Sequence, residues 1–261
     1  MVGARATLPT TPRRSSPSNT TASVKRSSVT DSLSVANPPD VDRRLPAVLT
    51  DFDDTAAAQN VAELLLHRFG HPTWTDVRER FRQGELSLKE YQEITFREMT
   101  AGKEAMQTYV RENACFRDHF GELALFCADH SIPMCIVSQG LDFYVQALLD
   151  EAGWPDMPVH AVRAEFEDGG RITKYAYDFT YPDAPELGNS KALMVRRFQE
   201  QGYHVFFAGD GRSDFEAGEV ADTVFAHRQM ADMCSDAGIA YTPFTDFGPV
   251  LNALCRYVAQ I

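Results

Sequence analysis

Two carboxylates, Asp51 and Asp53, directly follow a short apolar run, Leu45–Thr50. Such a run predicts a buried strand, and open α/β proteins bind their ligands where the strands of the sheet end. An aspartate at this edge could attack phosphorus as a covalent nucleophile, and a second acid two residues later could protonate the leaving group. The pattern therefore indicates phosphoryl transfer, although an Asp-rich turn that merely closes a strand has the same sequence.

Two further side chains could act on the same phosphoryl group. Ser138 follows an apolar run at residues 132–137, so its hydroxyl and the next amides, beginning with Gln139, could hold phosphate oxygens near a helix N-terminus. Lys191 begins a predicted helix, where a cation is unfavourable unless a negative group lies nearby. A phosphoryl group beside an aspartate would be such a group. Taken singly, a serine after a strand is most often a turn or cap residue, and a lysine is most often solvated.

Two more acids, Asp210 and Asp214, lie in the loop GDGRSD that follows another apolar run. Together with Asp51 and Asp53 they would gather four carboxylates, which is unfavourable unless protons or a cation neutralise them. Oxygen ligands and a phosphate ester favour Mg²⁺, which takes few protein carboxylates and keeps several waters. The predicted cofactor is therefore Mg²⁺, and an Asp-Gly turn without a metal is the alternative.

Strand and helix patterns alternate along residues 45–261, which predicts an α/β fold with a Rossmann-like doubly wound parallel sheet. Residues 71–113 are the exception, because they are polar and helical and contain no strand pattern. We predict that this stretch is a helical cap inserted after the first strand. Residues 159–178 alternate across a Gly-Gly turn, which predicts a hairpin. The sequence also predicts a helix over residues 116–130 and a strand over residues 132–137.

Composition limits the partners and the setting. The chain has 261 residues and a formal net charge of −12, but residues 1–44 are basic, rich in Ser and Thr and without an apolar period. We therefore predict a disordered tail at 1–44 and one folded domain at 45–261. The acidic domain argues against nucleic acid and membrane partners, and no apolar run reaches the roughly 20 residues that cross a bilayer. Five scattered cysteines indicate a cytoplasmic setting, although the basic start leaves organellar import open.

The order of these motifs resembles the haloacid dehalogenase superfamily: DFDDT comes first, then Ser138, then Lys191, then GDGRSD. The resemblance implies that Asp51 is the nucleophile and forms an aspartyl-phosphate. It also implies that Asp53 is the general acid and base, and that Ser138 and Lys191 stabilise the phosphate and the intermediate.

The same resemblance implies a set of metal ligands. Mg²⁺ would be held by Asp51, by the backbone carbonyl of Asp53 and by Asp210, with Asp214 supporting them. One departure concerns the phosphate loop, where Gln139 replaces a residue that is usually a small glycine.

The helical insertion resembles the cap of the phosphoserine phosphatase-like branch. Within that branch, several segments are similar to the methionine-salvage phosphatases, namely FRDHF, IPMCIVSQGLDFYV, GDGRSDFEA and FTDF. That family hydrolyses a small metabolite, 2-hydroxy-3-keto-5-methylthiopentenyl-1-phosphate, so the resemblance implies a Mg²⁺-dependent phosphomonoesterase for this keto-enol phosphate. Phosphoserine or another small ester is the alternative substrate. Asn60 favours an uncharged substrate end, because phosphoserine enzymes usually carry an acid there.

The alternative function from a different class of protein is that of a phosphoacceptor signalling domain. Such a domain also uses a strand-end aspartate, a lysine and a metal. Such a domain needs neither the acid at Asp53 nor a helical lid over residues 71–113. Both features therefore favour an enzyme. Its oligomeric state is not predicted by the sequence.

Overall fold

The computed structural model of the chain describes residues 44–261. The predicted tail lies outside these residues, apart from its last member, Arg44. Arg44 donates a hydrogen bond to the carbonyl of Tyr203 at 3.2 Å and forms an ion pair with Asp222 at 2.6 Å. This residue is therefore attached to the folded domain.

A seven-stranded sheet lies at the centre of the described residues. Its strands in chain order are β1 Leu45–Thr50, β2 Met134–Leu141, β3 Val159–Phe166, β4 Ile172–Ala176, β5 Tyr203–Gly209, β6 Thr223–Ala226 and β7 Thr242–Pro243. They are arranged as β4-β3-β2-β1-β5-β6-β7, and neighbours are parallel except in the antiparallel hairpin β3–β4. The predicted α/β fold and its Rossmann-like parallel sheet are confirmed.

Ten α-helices surround the sheet within residues 44–261. They are α1 Val61–Phe69, α2 Trp74–Arg82, α3 Leu88–Arg97, α4 Lys103–Asn113, α5 Phe120–Asp129, α6 Asp142–Ala152, α7 Lys191–Glu200, α8 Phe215–Val220, α9 Arg228–Ala237 and α10 Gly248–Val258. Helices α1 to α4 follow one another between β1 and β2. The helical cap after the first strand is thus present. No helix in the described part of the chain is long and apolar enough to cross a membrane.

Helices cover both faces of the sheet, which explains the sequence of β1. Val48 packs in a cluster with residues of α5, α6 and α10, whereas its neighbour Leu49 packs in a cluster with residues of α7, α8 and α9. Every residue of β1 after the first is buried, so the strand is a continuous apolar run and does not alternate. Full burial of a valine or leucine side chain, such as those of Val48 and Leu49, contributes about 1.5–3 kcal/mol.

Local signals in the sequence define the cap helices. A capping box begins α3, since the Ser87 hydroxyl accepts a hydrogen bond from the Glu90 N–H and the Glu90 carboxylate accepts one from the Ser87 N–H at 2.8 Å. Phe81 of α2 stacks on Tyr91 of α3, with their ring centroids 5.0 Å apart. These contacts hold two cap helices side by side over the sheet edge.

The hairpin β3–β4 supports the cap from the other side. The Lys103 N–H, at the start of α4, donates a hydrogen bond to the carbonyl of Gly169 in the hairpin turn at 2.8 Å. Beyond β4, the Tyr177 hydroxyl donates a hydrogen bond to the Glu93 carboxylate on α3 at 2.9 Å. The cap therefore contacts the hairpin as well as the nucleophile strand.

One helix begins later than the sequence predicts. The helix expected from residue 116 starts at Phe120, because His119 has a left-handed backbone with φ of 64°. A helix does not continue through that conformation.

The second strand is also placed differently. It was predicted over residues 132–137 but spans Met134–Leu141, and its pairing with β3 shifts between Val137 and Leu141. The backbone remains extended past the end of the apolar run. Ser138 therefore lies within the strand and not after it.

Candidate active site

The carboxyl ends of three adjacent strands bring the predicted residues together. β1 pairs with β2 on one side and with β5 on the other, so the segments that follow them meet at one edge. Lys191, at the start of α7, completes the group. Its Nζ lies 2.5 Å from Oδ1 of Asp51 and 2.5 Å from Oδ1 of Asp214. Residues far apart in sequence thus form one buried ion cluster.

Asp51 is the predicted nucleophile, and it is only 5% exposed. Burial raises its pKa well above the usual range, the carboxylate of Asp214 raises it further, and Lys191 opposes the rise. Burial alone would lower the pKa of Lys191, but Asp214 and Asp51 raise it overall, so Lys191 stays cationic. Oδ2 of Asp51 makes no hydrogen bond to any described residue, which leaves it available for attack or for a cation.

The loop after β1 is fixed by its backbone. Asp54 has a left-handed conformation with φ of 59°, which turns the chain sharply after the nucleophile. The Arg117 guanidinium donates hydrogen bonds to the carbonyls of Asp54 at 2.6 Å and of Thr55 at 2.9 Å. These bonds hold the loop that carries Asp51 and Asp53, the two predicted catalytic residues.

Asp53, the predicted general acid, receives three hydrogen bonds. Its Oδ1 accepts the N–H groups of Val61 at 2.7 Å and Ala62 at 3.1 Å, which begin α1, and its Oδ2 accepts the hydroxyl of Tyr144 at 2.9 Å. Burial raises the pKa of Asp53 to about 6, against the lowering effect of these bonds. A carboxyl group with this pKa can donate and accept a proton near neutral pH.

The acidic loop after β5 is ordered around Asp214. Oδ2 of Asp214 accepts the N–H groups of Asp210 at 3.1 Å and Gly211 at 2.9 Å, and the side chain is fully buried. A Cβ at Gly209 would lie 2.5 Å from Cγ of Asp214, so only glycine fits there. These bonds and the ion pair with Lys191 occupy both carboxylate oxygens of Asp214. The Asp210 carboxylate accepts one hydrogen bond, from the Thr55 hydroxyl at 3.1 Å.

The donor set fits a hard cation. Carboxylate oxygens of Asp51, Asp210 and Asp214 lie within 4.8 Å of one another. Burial, followed by the charges of Asp214 and Asp54, raises the pKa of Asp210 to about 6. An additional negative charge in this carboxylate cluster is therefore unfavourable. Because the Asp53 carboxylate is held by α1 and Tyr144, only its backbone carbonyl remains as the predicted ligand. Oxygen-only ligands suit Mg²⁺ or a similar ion.

The two predicted phosphate-binding residues of β2 are held differently. Ser138 is 1% exposed, and its hydroxyl accepts a hydrogen bond from the N–H of Gly140 at 2.9 Å. The Gln139 side chain donates a hydrogen bond to the carbonyl of Asn189 at 2.7 Å. The amide side chain of Gln139 therefore supports the segment before Lys191, and its backbone N–H is left as the predicted phosphate donor.

Sequence reasoning missed two side chains that touch this group. Tyr144 follows an apolar pattern on α6, so nothing in the sequence separates it from a core residue. Arg228 has a left-handed backbone at the start of α9, and its guanidinium lies 2.5 Å from Oδ1 of Asp54 and 3.7 Å from Oδ2 of Asp210. Both contacts join distant parts of the chain, which local spacing does not reveal.

A cavity of about 360 Å³ lies between the sheet edge and the cap. The charged cluster forms its floor, including Asp51, Asp53 and Lys191. Its cap side combines apolar and aromatic residues, Leu66, Phe81, Leu88, Tyr91 and Phe96, with polar and charged ones, Asn60, Glu63, Arg78, Arg82 and Gln92. The cavity is large enough for a small phosphate ester whose phosphate faces the carboxylates.

The fold and this site define an α/β protein with a buried aspartate, Asp51, at the carboxyl edge of its mostly parallel sheet. A family described as haloacid dehalogenase-like hydrolase matches residues 48–219. The match covers more than half of the chain, so the chain belongs to the haloacid dehalogenase-like hydrolases. The membership that the order of motifs predicts is confirmed.

Curated relatives extend over nearly the whole domain. A 2-hydroxy-3-keto-5-methylthiopentenyl-1-phosphate phosphatase of Bacillus velezensis is 24% identical over 212 residues, which cover 81% of this chain and 90% of the relative. A phosphatase of the same name from Exiguobacterium sibiricum is 27% identical over 211 residues, with coverages of 79% and 95%. The chain is accordingly a phosphoric monoester hydrolase, and the hydrolase family decides against a phosphoacceptor signalling domain.

Solved structures show the same fold. A substrate-bound phosphoserine phosphatase matches with a TM-score of 0.61 at 14% identity, covering 81% of this chain and 99% of that chain. A probable phosphoserine phosphatase from Vibrio cholerae matches with a TM-score of 0.61 at 17% identity, with coverages of 84% and 70%. At these identities the likeness concerns the fold alone.

Proposed function

We propose that this protein hydrolyses a small ester of the 2-hydroxy-3-keto-5-methylthiopentenyl-1-phosphate type through an aspartyl-phosphate on Asp51. The observation that carries the mechanism is the buried Asp51 carboxylate, with Oδ1 bound to Lys191 at 2.5 Å and Oδ2 unbonded within the described residues. The curated relatives with this activity support the substrate class.

In the first half of the reaction, an Asp51 oxygen attacks phosphorus and the bond from phosphorus to the ester oxygen breaks. Asp53 donates its proton to the departing oxygen, for which a pKa of about 6 suits it. Lys191 holds the nucleophile in place and offsets the negative charge of the phosphoryl group. In this proposal the Ser138 hydroxyl and the Gln139 backbone N–H bind phosphoryl oxygens.

In the second half, a water molecule attacks the phosphorus of the aspartyl-phosphate, and Asp53, now ionised, accepts its proton. The bond between Asp51 and phosphorus breaks, inorganic phosphate leaves, and both carboxyl groups return to their first state. Asp53 thus serves as acid and then as base from one position.

Mg²⁺ is the proposed cofactor. The residues that would hold it are Asp51, the backbone carbonyl of Asp53 and Asp210, while Asp214 fixes the loop and Lys191. A bound Mg²⁺ would offset the charge of the carboxylates and of the phosphoryl oxygens.

The cap side of the cavity supports an uncharged substrate end. Arg78 and Glu63, which line the cavity, form an ion pair at 2.8 Å, so each neutralises the other. Asn60 also lines the cavity, but its Oδ1 accepts the Glu63 N–H at 2.8 Å and its Nδ2 donates to Asp54 at 3.2 Å. Apart from Arg82 and Gln92, the rest of the cap wall is apolar or aromatic, which suits a methylthio group.

Phosphoserine is the second candidate. Arg78 and Glu63 are favourable for it, because a cation and an acid could pair with the carboxylate and ammonium groups of this substrate. Binding phosphoserine through Arg78 and Glu63 would first break the ion pair between them, whereas Arg82, which also lines the cavity, forms no ion pair within the described residues. The keto-enol ester requires no such change.

A screen of the purified protein with Mg²⁺ against a panel of metabolite phosphates tests this assignment. The expected result is fast release of phosphate from the keto-enol ester and slow release from phosphoserine. A clear preference for phosphoserine would transfer the assignment to the second candidate.

A further inference from the structure

A small space adjoins the main cavity between the cap and the segment before Lys191. Its volume is about 10 Å³, and three side-chain amides line it, those of Gln92 on α3, Gln139 on β2 and Asn189. We call this space the amide annex. Gln92 and Gln139 line the main cavity as well, so the annex and the cavity are neighbours.

The amides of the annex are incompletely hydrogen-bonded. Oδ1 of Asn189 accepts the N–H of Phe179 at 3.3 Å, but its buried Nδ2 has no partner among the described residues. Gln92 is only 6% exposed, and its side-chain amide makes no hydrogen bond to any residue in 44–261. Buried polar groups in folded proteins nearly always have a partner, so Nδ2 of Asn189 requires one from outside the chain. The Gln92 amide is open to the main cavity, where a ligand can bind it.

The size and chemistry of the annex limit that partner. A volume near 10 Å³ holds a single water, which would satisfy Asn189. Gln92 also faces the main cavity, where a substrate oxygen can reach it. A carboxamide donates and accepts but carries no charge, so it suits a hydroxyl or a carbonyl oxygen.

The position of the annex indicates which oxygens these are. Gln139 directly follows Ser138, the proposed phosphate ligand, so the annex lies beside the phosphate end of the cavity. The apolar residues Leu66, Phe81 and Phe96 line the cavity as well. In the proposed substrate, the hydroxyl and keto oxygens are on carbons 2 and 3, near the phosphate, and the methylthio group is on carbon 5.

We propose that Gln92 is a specificity-determining residue, whose amide hydrogen-bonds the hydroxyl or keto oxygen next to the phosphorylated carbon. The site thereby selects esters with neutral oxygens at carbons 2 and 3. This inference rests on the proposed function and adds the residue that recognises the substrate. Gln139 supports the annex by its hydrogen bond to the Asn189 carbonyl.

The test compares two esters in three proteins. The esters are the keto-enol phosphate and pentyl phosphate, which has a five-carbon chain without the hydroxyl and keto oxygens. The proteins are the wild type, Gln92→Met and a control, Gln83→Met. Methionine matches glutamine in length and helix propensity but has no amide. Gln83 is an exposed cap glutamine bonded to Glu79, and it does not line the cavity.

The readout is the kcat/KM for the keto-enol ester divided by that for pentyl phosphate. In Gln92→Met this ratio should fall by about 10- to 100-fold, as expected when a polar substrate group loses its partner. Gln83→Met should leave the ratio unchanged. A purely structural role of Gln92 would slow both esters alike and also leave the ratio unchanged, which would overturn the inference.

A second variant, Gln92→Glu, tests the inference if Gln92→Met does not fold. Gln92→Glu keeps the size of the side chain but replaces the amide donor by a negative charge near the phosphate, so the ratio should fall here too. Thermal melting establishes that each variant is folded. A wild type that prefers phosphoserine over the keto-enol ester would contradict the proposed function. The kcat/KM ratio in the Gln92 variants tests a different point, the recognition of substrate oxygens by Gln92.

Discussion

The polar side chains on the two sides of the active site differ in how they are hydrogen-bonded. At the sheet edge, Asp51, Lys191 and Asp214 are buried and bonded to one another, and Asp53 receives three hydrogen bonds. On the cap side, apolar and aromatic residues form much of the wall, and the Gln92 amide faces the cavity without a hydrogen bond to any described residue. The sheet edge is organised before substrate arrives, and the cap side leaves a polar group for the substrate to satisfy.

This difference assigns the chemical steps to the sheet edge and the choice of substrate to the cap. Changes at the sheet edge should affect every phosphate ester to the same extent, because every ester presents the same phosphoryl group. Changes in the cap should alter the ratios between esters. The predictions below test that division.

The largest effect is expected from Asp51→Asn. The amide removes the covalent route, which no neighbouring residue can replace, so kcat should fall by at least about 10⁴-fold for every ester. Steady-state kinetics on several esters measures this. Asp54→Asn is the matched control in the same loop, since asparagine tolerates the left-handed conformation there. Near wild-type turnover by Asp51→Asn would refute the mechanism.

Removal of divalent metal should have the next largest effect. Chelation should lower kcat by at least about 100-fold, since a metal ion supplies several kcal/mol of charge stabilisation. Mg²⁺ should restore activity better than Ca²⁺, whose coordination is looser and higher. The melting temperature should rise with Mg²⁺, because binding stabilises the folded state. Undiminished turnover after exhaustive chelation would contradict the role assigned to the carboxylate cluster.

Phosphoserine should be a poor substrate, and this prediction tests the cap side. Its kcat/KM should be at least roughly 100-fold below that of the best uncharged ester, because a mispaired buried charge is unfavourable by about 2–3 kcal/mol. Both esters are compared under saturating Mg²⁺. Equal values would mean that the ion pair between Arg78 and Glu63 opens readily for the substrate.

The smallest effect is expected from Tyr144→Phe. The Tyr144 hydroxyl donates a hydrogen bond to Asp53 that lowers the pKa of this carboxyl group. Burial raises the pKa more strongly, so that it lies at about 6. As a general acid Asp53 must be protonated, so release of the leaving group should slow as pH rises through that value. Without the bond the pKa should rise further, so the alkaline limb of kcat should move to higher pH, with a change in kcat of about 10-fold or less.

A control separates this effect from general damage. The Tyr175 hydroxyl bonds to the carbonyl of Glu93, away from Asp53, so Tyr175→Phe should leave the limb where it is. A limb that moves to lower pH in Tyr144→Phe would show that the tyrosine acts on Asp53 in another way.

Much of the sheet edge is predictable from sequence because its residues follow apolar runs or begin helices. The register of β1 with β2 and β5 then forces Asp51, Ser138 and Asp210 towards one place. Several element bounds follow from local signals too, as for α1, α2 and α6. Burial on both faces makes the strands continuous apolar runs, which are easy to recognise.

The contacts missed from sequence depend on tertiary packing. Tyr144 lies 91 positions from Asp53 and is indistinguishable in pattern from its apolar neighbours on α6. Asn60 was interpreted as a substrate-facing amide, yet it caps α1 and bonds to Asp54. The annex around Gln92 requires a cap helix and a distant loop to meet, which no periodicity encodes.

The central claim is covalent catalysis by Asp51, and trapping of the intermediate tests it most directly. Asp53→Asn should still accept the phosphoryl group but release it slowly. After acid quenching of this variant with ester and Mg²⁺, mass spectrometry should find one phosphoryl group on the peptide that contains Asp51. The double variant Asp51→Asn with Asp53→Asn should carry none. A phosphoryl group on another residue, or on the double variant, would contradict the account.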